Sequence, residues 1–190
     1  VAVAARDLSQ FVPVFRPRAR TERALVRDAA RGSEQALAEL FRQAWPGAYR
    51  AAFLIVHDHA AAEDIAQEAI VAAVRNLDHF DRRRPLTPWL HRIVVNRAID
   101  WTRVRKLRRE VFELPEPPGA DDQPTSPSDP ILSSLAALAP DQRAVIVLRH
   151  LLGYTPGEIA AMLALPRGTV NSRLRRGLDT LGGRLEDDRP

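Results

Sequence analysis

Apolar residues recur at helical spacing over most of this chain. Thr21 is placed to cap a short helix ending near Arg31, with Gly32 as its stop. Ser33 caps a second helix running through Leu37, Leu40, Phe41 and Ala44. Pro46 lacks a backbone donor and predicts a kink, after which the pattern resumes through Tyr49, Phe53 and Ile55. A third helix is expected over about 60–77, with Ala66, Ala69, Ile70, Ala73 and Leu77 on one face. A fourth should open with Thr87 as cap and Pro88 in the first position. It runs to about Arg109 and carries Leu90, Val94, Ala98 and Trp101 on one side.

The stretch 155–181, TPGEIAAMLALPRGTVNSRLRRGLDTL, predicts two short helices and a tight turn. Thr155, Pro156 and Glu158 form a capping-box start. Ile159, Ala160 and Leu163 make an apolar stripe, and Leu165, Pro166 and Gly168 break the helix. The second helix starts near Thr169 and turns Val170, Leu174, Leu178 and Leu181 inward. Arg167, Arg173, Arg175 and Arg176 are left for solvent or phosphate, with no acid between 165 and 178. A helix-turn-helix presents such a second helix to the major groove, and the small Ala160 suits the close crossing it needs. The plainer reading is a helical hairpin with a solvated basic face.

Between the helical blocks lies 113–130, ELPEPPGADDQPTSPSDP, with six prolines and no basic residue. Such a segment is expected to be extended. The expected fold is therefore all-α: two small helical domains, 21–112 and 131–185, joined by an extended Pro-rich acidic linker at 113–130. Residues 1–20, with Arg16, Arg18 and Arg20, form an arm without an assigned role, and 186–190 form a tail.

Composition narrows the function. Of 190 residues, 45% are hydrophobic, enough for packed cores. The absence of cysteine excludes disulfides and Cys-ligated metal. No apolar run approaches membrane-helix length, and VAVAARDLSQFVPVF does not read as a signal peptide, so a soluble cytoplasmic protein without membrane insertion is expected. Net charge is +4, and Lys106 is the only lysine. The charge is segregated: residues 81–109 hold ten basic residues against two acidic ones, whereas 110–130 hold six acids and no base. A basic loop and helix beside Phe80, Trp89 and Trp101 favours nucleic acid. Aromatic rings among arginines suit unstacked bases, and a helix-turn-helix suits duplex. The two tryptophans fit core packing as well as base stacking.

Catalytic chemistry is not in evidence. His57-Asp58-His59, with Glu63 and Asp64 nearby, lacks a third ligand at helical spacing and reads as a hydrated interhelical loop. There is no Gly-rich phosphate loop, nucleophile elbow or paired-carboxylate site. Asp64 and Glu68 share a helix face, a mildly unfavourable pairing that hints at a partner. No enzyme activity, cofactor or metal is expected.

Three segments together resemble the extracytoplasmic-function (ECF) sigma factors of bacterial RNA polymerase, which retain only regions 2 and 4. AEDIAQEAIVAAVRNLDHF (62–80) is similar to regions 2.1–2.2, with their D-x-x-Q-E core. TPWLHRIVVNRAIDWTRVRKLRRE (87–110) is similar to regions 2.3–2.4, and residues 138–181 to region 4.

The resemblance implies that Asp64, Gln67 and Glu68, with an apolar edge at Ile65 and Val71, bind the clamp helices of the polymerase β′ subunit. It implies that Trp89, Arg92, Asn96, Arg97, Arg103 and Arg105 handle the −10 element, Asn96 lining a pocket for a flipped base. It implies that Arg167, Thr169, Asn171, Ser172, Arg175 and Arg176 read the −35 element, with the polymerase β flap beside region 4. An anti-sigma factor is an expected partner, and Glu113, Glu116, Asp121 and Asp122 would line the RNA path. Asn171, Ala164 and Arg167 depart from the residues usual in the family, so relatives do not give the −35 sequence. The alternative is a two-domain helix-turn-helix regulator that binds duplex operator DNA without polymerase.

Overall fold

Eight α-helices account for most of the described residues, 19–112 and 130–187 of the computed structural model. The arm, the tether at 113–129 and residues 188–190 lie outside them. The helices are α1 (Ala19–Ala29), α2 (Glu34–Val56), α3 (His59–Arg75), α4 (Leu86–Phe112), α5 (Pro130–Ala136), α6 (Pro140–Ile146), α7 (Pro156–Leu163) and α8 (Arg167–Asp187). A 3₁₀ turn, Leu77–His79, follows α3, and a π turn, Val147–Leu151, follows α6. No described helix is long and apolar enough to cross a membrane.

Local signals set most helix ends. Gly32, at φ 89°, takes the left-handed turn after α1, and the Ser33 hydroxyl accepts from the Ala36 N–H at 3.3 Å to start α2. Asp58 caps α3 through the Ala61 N–H at 3.0 Å. Thr155 and Glu158 complete the reciprocal capping box of α7.

Two expectations need correction. Thr21 lies inside α1, which begins at Ala19. Pro46 lies within α2, which continues past it to Val56 as expected; it faces solvent, as does Arg42, whose carbonyl loses its partner there, so water can satisfy that group. Thr87 does not cap α4. The helix opens at Leu86, and the cap is remote: the buried Glu22 carboxylate of α1 accepts from the Leu86 N–H at 2.5 Å and the Thr87 hydroxyl at 3.2 Å. A carboxylate there also faces the positive end of the helix dipole.

Helices α2, α3 and α4 pack together through alanines. Ala48, Ala51, Ala52, Ala62, Ala66, Ala69 and Ala98 are buried between them, and such short side chains let helix axes approach closely. A smaller cluster of Val26, Leu40, Leu77, Phe80 and Leu86 ties in α1. In the second block, Gly177 lets α8 press on α6, because a Cβ there would lie 3.0 Å from Ile146 Cγ1.

The two blocks pack against one another. One continuous apolar cluster runs from Ala48, Ile55, Ile65 and Val94 to Leu135, Val145, Ile146, Leu148, Ile159 and Val170. Its polar centre is Arg143, the single charge opening the apolar run of α6. Its guanidinium donates to the Ile55 carbonyl at 2.5 Å, to Ala136 at 2.5 Å and to Leu138 at 3.1 Å. The first two are carbonyls at the C-terminal ends of α2 and α5, which lack helical partners and carry the negative end of the dipole. Burial lowers the Arg143 pKa to about 10, so it stays charged at neutral pH. Nearby, His91 of α4 hydrogen-bonds through Nδ1 to the Tyr154 hydroxyl at 2.8 Å. Its Nε2 is backed by Gly47, where a Cβ would approach to 3.3 Å.

Replacing Arg143 with methionine keeps the volume but strands the carbonyls it serves. The variant should lose on the order of 3 kcal/mol of stability in urea unfolding. A loss under half a kilocalorie would deny Arg143 its place at the junction.

Acid should loosen the same region. Desolvation lowers the His91 pKa from 6.5 to about 4, and desolvation with the Arg143 charge lowers that of His57 to about 3. Each unfolded histidine therefore binds a proton the folded protein refuses. Their stabilisation is complete above the unfolded value of 6.5 and is lost as pH falls towards 4 and 3. At pH 5 the loss should be about 2 kcal/mol per histidine. Stability in urea unfolding should fall between pH 7.5 and pH 5 in the native protein, and by about 2 kcal/mol less in His91→Gln.

Candidate nucleic-acid interface

Helix α4 carries basic residues around much of its circumference, and its neighbours sort them. Arg92, Asn96 and Arg103 recur at helical spacing on one side and are exposed. Arg97 and Arg105 turn instead towards α3. The Arg97 Nη1 donates to Glu68 Oε2 at 2.5 Å, and Arg105 Nη1 to Asp58 Oδ2 at 3.2 Å, while its guanidinium stacks over Trp101 at 4.9 Å. Arg103, though exposed, also pairs with Asp141 of α6 at 2.8 Å, which leaves Arg92 without a carboxylate partner among the described residues; sequence spacing could not separate these arginines, because their carboxylates come from elsewhere in the fold. The loop before α4 adds Arg82, Arg83 and Arg84, all exposed.

Both tryptophans pack against the core. Trp89 meets Phe80 at 4.9 Å between centroids, and Trp101 lies half-buried beneath Arg105. Both rings remain partly exposed beside these contacts.

Asp64, Gln67, Glu68 and Val71 lie on the outer face of α3, with Val71 42% exposed. Ile65 is only 5% exposed, which corrects its expected place on an outer apolar edge. It falls in the inward stripe with Ala62, Ala66 and Ala69. There it floors an open depression of about 300 Å³, lined also by Ala61, Asp64, Glu68, Arg97, Asp100 and Trp101. The like charges of Asp64 and Glu68 are tolerated because Arg97 neutralises Glu68.

The second block forms the expected helix-turn-helix. Ala164, at φ 53°, makes the left-handed turn after α7, and α8 begins at Arg167 rather than Thr169. Val170, Leu174 and Leu181 face the core, as does Gly177. Arg167, Asn171, Arg175 and Arg176 are exposed, with Thr169 and Ser172 half-buried. The Ser172 hydroxyl donates to the Thr169 carbonyl at 2.9 Å and lies 3.4 Å from an Arg176 guanidinium nitrogen. Arg173 is turned back to Asp141 of α6 at 3.1 Å, away from the exposed side.

The clustered histidines at 57 and 59 pack against neighbouring side chains. The ring of His59 stacks on Phe53 at 4.4 Å, and its Nδ1 is 2.6 Å from the Tyr49 hydroxyl. His57 closes α2 beside Arg143. Among the described residues no three side chains of metal-binding type converge. Sequence reasoning missed Glu22, His91, Asp141, Arg143 and Tyr154, which act across long separations; only the lone charge of Arg143 at the head of an apolar run was a signal.

Residues 40–110 match the Sigma-70 region 2 family, and residues 128–181 match Sigma-70, region 4. The RNA polymerase sigma-E factor of Streptomyces avermitilis is 34% identical over 139 residues, covering 72% of this chain and 78% of that protein. The ECF RNA polymerase sigma factor SigW of Bacillus subtilis is 29% identical over 180 residues, 85% of this chain and 95% of SigW. CnrH of Cupriavidus metallidurans, also an RNA polymerase sigma factor, is 30% identical over 182 residues, 88% of this chain and 95% of CnrH. The structure of CnrH in complex with the cytosolic domain of CnrY superposes with a TM-score of 0.67 at 29% identity, over 89% of this chain and 99% of that one. With both regions present in order and nearly the full length of such relatives matched, the chain belongs to the ECF sigma factors of RNA polymerase.

Proposed function

We propose that α3, α4 and α8 divide the work of initiation in this chain as follows. The outer face of α3, with Asp64, Gln67, Glu68 and Val71 above the Ile65 floor, binds the β′ clamp helices of core polymerase. The open side of α4 engages the −10 element: Arg92 and Arg103 hold phosphates and Asn96 contacts a base flipped from the melted strand. Arg97 and Arg105 join them once they release Glu68 and Asp58, and Trp89 and Trp101 support the helix from within. The exposed side of α8, with Arg167, Thr169, Asn171, Ser172, Arg175 and Arg176, reads the −35 duplex, next to the β flap. The observation that carries this reading is the pair of exposed basic helix faces, one in each block.

CnrH, a relative of similar length, is found in complex with the cytosolic domain of CnrY. An inhibitory anti-sigma polypeptide is accordingly proposed as a regulator of this chain, which would act in the cytoplasm where polymerase works. Exposed Val104 and Leu107 on α4 offer apolar area for such a contact.

Two variants separate the first two roles. Val71→Asp should weaken core binding in a pull-down about tenfold, since it puts a charge into a partly desolvated contact. Asn96→Ala should leave core binding unchanged but reduce promoter opening, read by permanganate reactivity, by about ten- to a hundredfold, as losing one base contact costs ~1–3 kcal/mol. Normal opening by Asn96→Ala would remove the base pocket from this residue.

Arg175 and Arg176 point about 100° apart on α8 and should differ. One should read a base, so its alanine variant relaxes preference at a single −35 position. The other should contact phosphate, so its loss weakens all sequences alike and reduces the salt slope by about one. Identical profiles in holoenzyme binding titrations would refute the division.

A further inference from the structure

A buried carboxylate ties α1 to the start of α4. Glu22, 6% exposed, accepts from the Leu86 N–H at 2.5 Å through Oε1 and from the Thr87 hydroxyl at 3.2 Å through Oε2. The residue ahead of the helix is Pro85, whose side chain offers no oxygen. The cap that a neighbouring Ser, Thr, Asp or Asn commonly gives is missing there, and another helix supplies it.

The loop that enters α4 runs from Asp81 to Pro85 and exposes Arg82, Arg83 and Arg84. It is ordered within itself. The Asp81 carboxylate accepts from the Arg83 N–H at 3.1 Å, and the Asp81 carbonyl from the Arg84 N–H at 2.9 Å. The Arg84 Nε lies 3.6 Å from Asp81 Oδ2. Both ends of the loop rest on one small core. Phe80 and Leu86 are buried with Val26 of α1 and Leu40 of α2, and Trp89 meets Phe80 at 4.9 Å. Apolar packing of this kind is non-directional and lets the exit end turn. Two hydrogen bonds to one carboxylate fix its direction.

We propose that Glu22 is a positioning residue for promoter opening. From α1 it fixes the joint between the basic loop and α4, so that Arg82, Arg83 and Arg84 meet the −10 strand as one set, beside Arg92 and Asn96. The proposal rests on the assignment of α4 to the −10 element. Drawing a base from the stack costs unstacking energy, and a loop that must be ordered at the same moment gives up part of the binding that offsets it. Glu22 orders the joint before DNA arrives. It touches no nucleic acid itself and acts only through Leu86 and Thr87.

Three substitutions separate geometry from folding. Glu22→Gln keeps an acceptor for the Leu86 N–H and sets an amide against the Thr87 hydroxyl, which can accept from it. Glu22→Asp keeps the charge but draws both oxygens back by about 1.5 Å, one carbon–carbon bond. Glu22→Ala removes both bonds. Opening is followed by permanganate reactivity at saturating core polymerase, on a fragment selected with the native holoenzyme. Glu22→Ala and Glu22→Asp should open it about ten- to a hundredfold more slowly, with core affinity unchanged. Glu22→Gln should open it at close to the native rate. If Glu22→Ala fails to fold, Glu22→Asp carries the comparison. The chain has no cysteine, so a nitroxide on Arg83→Cys reports loop motion alone. Its spectrum should sharpen in the Ala and Asp variants, while that of a nitroxide on Asp179→Cys, exposed on α8, stays the same. Native opening in Glu22→Asp, a loss in Glu22→Gln equal to that in the Asp variant, or a loss of core binding as large as the loss of opening would overturn the proposal. So would an unchanged spectrum at position 83. The spectra need no DNA. If alanine at Arg82, Arg83 and Arg84 together leaves opening normal, the promoter assignment of this loop fails, and the spectra still judge whether Glu22 orders it.

Discussion

The burial of one guanidinium organises this molecule. Arg143 is buried, pairs with no carboxylate among the described residues and is held by the carbonyl oxygens of Ile55, Ala136 and Leu138. Such a site is expensive to build and exacting once built, because the Nη donors need oxygens in fixed directions, while the buried Nε has no partner among the described residues. Moving α2 relative to α6 would remove the Ile55 carbonyl; moving α5 would remove Ala136. The apolar cluster around them supplies most of the free energy, yet it is non-directional and would tolerate sliding. The arginine gives the junction its geometry.

A second layer of charge lies at the surface and works differently. Arg97 with Glu68, Arg105 with Asp58, and Arg103 with Asp141 all remain partly exposed to water. Exposed pairs add little stability and exchange partners readily. The basic surface of α4 is therefore held in place by weak acids of α3 and α6, while the residues fixing the fold lie beneath it. Mutations should separate along the same line, those beneath reducing stability and those above changing partner preference.

Much of this was legible in the sequence where the signal is local. The capping box at Thr155 and Glu158, the Ser33 cap, the Gly32 stop and the inward stripe of α8 all follow from residues within a turn or two of one another. What escaped was non-local. Glu22 caps a helix 64 residues further on, a partnership no window reveals. Ile65 sits in a repeat of alanines, where a large residue can as easily crown the outer edge as line the floor, and only the packing of α4 decides. Gly177 reads as a flaw in a helix until Ile146 is seen against it. The site was legible as a set of residues but not as a geometry, since equal spacing along α4 does not tell which arginines find carboxylates.

The π turn at Val147–Leu151 sets an angular register between the halves of the second block. The Leu152 N–H reaches back five residues to the Val147 carbonyl, so this turn holds one residue more than an α-helical turn. That extra residue advances everything after it by about 100° around the axis of α6. It decides whether Tyr154 faces α4 and where α7 and α8 point. Chain length in these five residues is therefore a dial for the aim of α8, and a single insertion or deletion there would re-aim it without altering any of its exposed arginines.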